Sequence, residues 1–179
     1  MGTRLLGAAS ESHLEAQAAG LGNRQRANAP IFLPYLSGER TPHNSATARG
    51  SFHGLNHDTG AAELAYAVME GVTFGLCDGL QALRSAGSDP KRLSLVGGGA
   101  RSAFWAQQLA SALGIDIVTH GGAQAGAALG AARLGWLALG AAEHTVCAAP
   151  DTAQVFTPNA SEQELLAQRY LRFKSHYQA

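Results

Sequence analysis

The chain has 179 residues, 46% hydrophobic and 15% charged, enough for one domain with a real core. Thirteen basic residues balance thirteen acidic ones, and no block of like charge points to nucleic acid or an anionic membrane as the main partner. No apolar run approaches the roughly 20 residues of a membrane helix, the N-terminus lacks a charged-then-apolar leader pattern, and two isolated cysteines, Cys77 and Cys147, fit a reducing, cytoplasmic setting better than a disulfide framework.

Residues 1–30 form a lead-in rich in Ala, Gly, Gln and Asn, with a helix-like stretch near Ser12–Ala19 and then a polar loop from Gly22 to Pro30. Ile31-Phe32-Leu33-Pro34-Tyr35-Leu36 is a β-type run whose proline marks an edge or irregular strand. It leads into Ser37-Gly38-Glu39-Arg40-Thr41-Pro42-His43-Asn44, a loop dense in functional groups. Arg40 and Thr41 are its candidates for a cleft, against the plainer reading of a solvated surface loop. Arg49–Leu55 reads as a short strand between glycines. His53 and His57 lie outside any helix, and no third ligand completes a metal site.

The longest predicted helix runs from Ala61 to about Ala86, with Glu63 in its first turn and Gly87 and Pro90 at its end. Leu64, Val68, Val72, Leu76, Leu80 and Leu83 form one apolar stripe, expected to face the core. Gly71, Gly75 and Gly79 recur every fourth residue, each costing roughly 1 kcal/mol against Ala, so another backbone is expected to approach closely there. Glu70 and Asp78 are two turns apart and read as structural or surface groups rather than an acid–base pair.

A strand over Leu93–Val96 enters Gly97-Gly98-Gly99, and a helix follows from about Ser102 to Leu113. Trp105, Leu109, Ala112 and Leu113 are expected to face inward, with Gly114 as the stop. Glycines at such a turn let a ligand approach the backbone, and the helix N-terminus beyond suits a phosphate or nucleotide. A tight turn chosen for sterics alone is the alternative. Ile115–Val118 is the next strand. A small-residue helix through Ala128-Leu129-Gly130-Ala131-Ala132 is expected to pack tightly on a sheet. This order predicts a parallel, right-handed crossover. Residues 141–160 read as irregular. Ser161 and Glu164 predict a capping box for a last helix from Glu162 to about Tyr177, docked by Leu165, Leu166, Tyr170 and Phe173.

Three motifs together resemble the C-terminal domain of the FGGY carbohydrate kinases. Gly50-Ser51-Phe52-His53-Gly54-Leu55, seven further residues and Glu63–Glu70 are similar to the family's second signature. Phe32–His43 is similar to the form of a segment found in its xylulokinase branch. Val96–Ser102 resembles the family's adenosine-contacting turn, and Ala128–Ala132 its downstream small-residue helix. The resemblance spans about residues 31–177 and implies an α/β fold of the ribonuclease-H-like (actin-like ATPase) type, missing its first strands. Residues 31–179 would be the nucleotide-binding domain behind the lead-in.

The resemblance further implies ATP with Mg²⁺, and in-line transfer of the γ-phosphoryl group to a sugar hydroxyl, with an Asp as base. Carried over, Gly98, Gly99 and Ala100 border the adenosine. Ala103 stands where some relatives have an Asn that reaches the base. The sugar pocket, the catalytic Asp and the Gly/Thr-rich phosphate loop are expected on parts of the family fold outside this chain. None of Asp58, Asp78, Asp89, Asp116 and Asp151 is therefore assigned as base, and no turnover is expected from the chain alone. Two alternatives are a non-catalytic domain that binds nucleotide or packs on a partner, and another FGGY sugar or polyol kinase. A Rossmann enzyme is disfavoured because Gly97-Gly98-Gly99 lacks the G-x-G-x-x-G spacing. An exposed sheet edge and an uncovered face of the Ala61–Ala86 helix predict self-association or a partner chain.

Overall fold

The structure, a computed structural model, describes residues 10–122 and 126–177. Ser10 opens α1 (Glu11–Ala19) by accepting the His13 N–H at 3.2 Å, which satisfies one of the orphan donors of the first turn. The stretch expected as a loop instead winds into α2 (Asn23–Asn28). Gln25 accepts the Gly22 N–H at 3.1 Å, Arg26 donates to the Ala19 carbonyl at 2.9 Å, and extended Ala29 before Pro30 ends the helix. β1 (Ile31–Leu33) pairs antiparallel with β2 (Ser51–His53), with the Phe32 and Phe52 rings 4.5 Å apart.

α3 (Ala61–Ser85) begins with the Gly60 N–H donating to the Glu63 carboxylate at 3.1 Å. Phe74, Cys77 and Leu80 enter the main core beside Ile31, Tyr35, Leu109 and Phe173. The predicted stripe does not face that core. Leu76 and Leu83 are 47% and 52% exposed, Val72 is exposed as well, and of the six only Leu80 is buried. A spacing of four lags the 3.6-residue turn by about 40° per step, so the stripe winds away from any flat partner. The buried Tyr66, Glu70, Thr73, Cys77 and Leu80 alternate steps of four and three and stay on one face. Of the three glycines, Gly71 is the one that meets a backbone, since a Cβ there would overlap the Phe32 carbonyl; Gly79 faces open space.

The second sheet has the order β3 (Arg92–Ser94), β4 (Asp116–His120) and β5 (Thr152–Phe156). β3 and β4 are parallel, joined through α4 (Ala103–Leu113), as the crossover predicts; Gly114 at φ 68° stops α4. β5 lies antiparallel to β4 inside the segment read as irregular. Its residues 152–155 are exposed, so no apolar alternation marks it. α5 (Gly126–Ala138) has no buried residue, contrary to the tight packing expected, and Leu134 and Trp136 are 69% and 55% exposed. Ala and Gly faces bury little area, so such a helix docks only on a closely complementary surface. After the short α6 (Glu143–Val146), α7 (Ala160–His176) closes the body. Its cap is Asn159 rather than Ser161: Asn159 Oδ1 accepts the Glu162 N–H at 3.2 Å and the Ser161 hydroxyl at 2.7 Å. Leu166 and Phe173 are buried, with Leu165 and Tyr170 half-buried beside them.

Candidate functional site

α1, α3 and the glycine turn enclose a cleft of about 960 Å³. Gly97, at φ 85°, turns the chain out of β3 into a single 3₁₀ turn over Gly98–Arg101. Ser102 then caps α4, accepting the Trp105 N–H at 2.9 Å and donating its own proton to Glu15 of α1 at 2.5 Å. One hydroxyl thus ties the turn to the opposite wall. The Trp105 indole N–H donates to the Thr73 hydroxyl at 2.9 Å and approaches the Met69 carbonyl at 3.3 Å, which fixes the ring in the cleft wall. Gly99 lies against that ring, and a Cβ there would overlap it. Ala65, Val68 and Val72 supply the apolar floor.

Gly98 and Gly99 line this cleft. Ala100 lies in the same 3₁₀ turn and Ala103 opens α4, next to the lining rather than in it. Arg101, Ser102 and Trp105 line it too and were missed as site residues, although Ser102 is legible as a helix cap. The carboxylates of the lining are Glu11 and Glu15, with no Asp among them. Arg40 and Thr41 sit in the loop between β1 and β2, outside this lining. The Thr41 N–H donates to the Glu39 carboxylate at 2.9 Å. His43 anchors the loop, with Nε2 3.3 Å from the Tyr35 hydroxyl and 3.8 Å from the Asp78 carboxylate and its ring stacked on Tyr177 at 3.7 Å. Asp78 also accepts the Tyr170 hydroxyl.

Glu70 and Asp78, two of the three acids of α3, are both buried, correcting the surface option. Arg169 clamps Glu70 through Nε at 2.5 Å and Nη2 at 2.7 Å, and donates to the carbonyls of Ala27, Ala29 and Pro30 at 2.9 to 3.1 Å. Burial pushes the Glu70 carboxyl up and the guanidinium draws it part of the way back. The pair fixes how residues 27–30 enter β1 and does not reach the cleft. Burial, then the Asp78 charge, push the Cys77 thiol up to about 12, which leaves it an inert core thiol. Among the described residues no group of three or more His, Cys, Asp or Glu could hold a metal ion.

A glycine turn leading from a parallel strand into a capped helix, opening on an apolar cleft, matches a defined class. Residues 3–139 match the model of the FGGY family of carbohydrate kinases, C-terminal domain, and the chain belongs to that family. Its fold is that of an FGGY sugar kinase, the actin-like ATPase type. A xylulose kinase of Escherichia coli is 51% identical over 107 residues, 60% of this chain and 22% of that protein. A xylulose kinase of Staphylococcus epidermidis is 36% identical over 172 residues, 94% of this chain and 34% of that protein. The crystal structure of a xyloylose kinase from Brucella ovis superposes with a TM-score of 0.83 at 40% identity, covering 98% of this chain and 36% of that one. The chain therefore spans about a third or less of the length of these relatives.

Proposed function

We propose that the chain is the nucleotide-binding part of a xylulokinase-type phosphotransferase. The adenosine of ATP lies in the cleft beside Gly98, Gly99 and Ala100, and the γ-phosphoryl group goes to D-xylulose, giving D-xylulose 5-phosphate. The cleft itself carries this reading: it combines a glycine turn, an apolar floor and a fixed aromatic wall in one concavity. Ala103 leaves the base to be held by backbone and packing. Arg40 and Thr41 would serve the acceptor side from the loop between β1 and β2. Magnesium would accompany the ATP phosphates. The general base and the phosphate loop belong to the rest of such an enzyme. Without them the positioning and electrostatic terms of phosphoryl transfer are absent, so the chain alone should not turn over. A cytoplasmic setting belongs to the same reading.

The test is ADP titration followed by Trp105 emission in a Trp136→Phe background. Gly98→Val is the informative variant, because a Cβ at Gly98 meets nothing closer than the flexible end of Arg101 at 3.9 Å, whereas any side chain at Gly99 displaces Trp105. Saturable binding, weakened about tenfold by Gly98→Val, supports the assignment; equal affinity in both chains removes the turn from the site. A coupled ADP-release assay with D-xylulose should stay at background, and turnover by the 179-residue chain would overturn its incompleteness.

A further inference from the structure

A second concavity, of about 400 Å³, lies between β2 and the end of α7 and shares no lining residue with the cleft. We infer that it binds a small phosphate monoester, with Arg49, His53 and His176 holding the phosphate and Tyr177 flanking the carbon part. Arg49, His53 and His176 reach it from two parts of the chain, and among the described residues no carboxylate lines it. The Arg49 guanidinium is preset: Nη1 donates to the Ala48 carbonyl at 2.8 Å and the Ala46 carbonyl at 3.1 Å. Among the described residues Nε and Nη2 have no acceptor, which leaves an edge of the fork for an oxyanion.

The histidines carry the second half of the argument. The His53 and His176 rings stack at 4.3 Å, nearly parallel. Two imidazoliums at that distance repel unless an anion lies between or beside them. Burial, His53 and Arg172 of α7 hold His176 below the usual imidazole range. Ser51 Oγ lies 2.8 Å from His53 Nε2 and sets that ring, while the Ser175 hydroxyl is spent on the Arg172 carbonyl at 2.7 Å. A bound dianion would offset the charge of the neighbouring Arg172, so ligand binding and protonation of His176 favour one another. This site does not rest on the nucleotide reading of the cleft.

The experiment follows the histidine ring signals of the ¹³C-labelled chain by NMR near pH 6, with glycerol 3-phosphate as probe and chloride at matched ionic strength as control. Expected are saturable shifts of His53 and His176, with the His120 signal unmoved, and affinity reduced about tenfold in Arg49→Gln. The His176→Gln chain, altered in the last turn of α7, should show the same weakening through His53 alone. Shifts that do not saturate, or unchanged affinity in both variants, overturn the proposal.

Discussion

Arg169 shows how one side chain can set a local architecture. Replacing it by Met would take the guanidinium from the buried Glu70 carboxylate and leave the buried Ala29 and Pro30 carbonyls without this donor. The expected cost is about 3–5 kcal/mol in urea unfolding, because an uncompensated buried charge outweighs the desolvation saved. Adding Glu70→Gln should cost less than the two single effects summed, since the stranded charge is gone. At Gly99 the neighbour is the Trp105 ring. Gly99→Ala is expected to cost about 1–3 kcal/mol and to change Trp105 emission, while Gly98→Ala, whose Cβ meets only the flexible end of Arg101 at 3.9 Å, should do neither. His176 supplies a pH test. Its folded-state pKa lies below the model-peptide 6.5, so the folded chain resists protonating it. Its contribution is present above that value and lost as pH falls through the folded one. Thermal midpoints should therefore drop between about pH 7 and pH 5, and His176→Gln should flatten part of that drop.

At the scale of elements, α3 offers the sharpest contrast. Phe74, almost wholly buried, is expected to cost about 3–5 kcal/mol when cut to Ala. Leu76→Ser, two positions on, should fall within about 0.5 kcal/mol of wild type by the same unfolding measurement. Equal costs would mean that the apolar stripe is packed as firmly as the heptad-like face. The existence of α3, α4 and α7, and the ends of α3 and α4, were legible because caps and stops are local: Glu63, Ser102 and Gly114 act within a turn of their own positions. The packed face of α3 was not legible, because it depends on where β1 passes, at Gly71, and that is a tertiary fact. β5 escaped notice because its exposed Thr-Ala-Gln-Val run carries no alternation. α2 escaped because six residues, five of them polar, have little helical signal without Arg26 bonded back to Ala19. The glycine turn could be read from the sequence, but the wall it leans on could not. Trp105 is held by Thr73, 32 residues earlier, and only the fold brings them together.

Across the whole molecule, apolar surface and open sheet edges lie on the same chain. Leu134, Trp136 and Leu139 are exposed on and just after α5, the last by 87%, and Val72, Leu76 and Leu83 are exposed along α3. In the sheet order, β3 has β4 on one side and no described strand on the other. A short edge strand on a chain that also exposes leucines is a template for association, because pairing satisfies backbone donors while burial removes apolar area from water. The zero formal charge adds no long-range repulsion to oppose it. Sedimentation velocity over a concentration series should therefore show reversible association of the chain with a second copy. Leu134→Lys with Trp136→Lys should weaken it, since both side chains are already solvent-exposed and their replacement leaves the core intact. A single sharp monomer boundary at every concentration, from a chain that also unfolds cooperatively, would mean that these faces are stable in water as they stand.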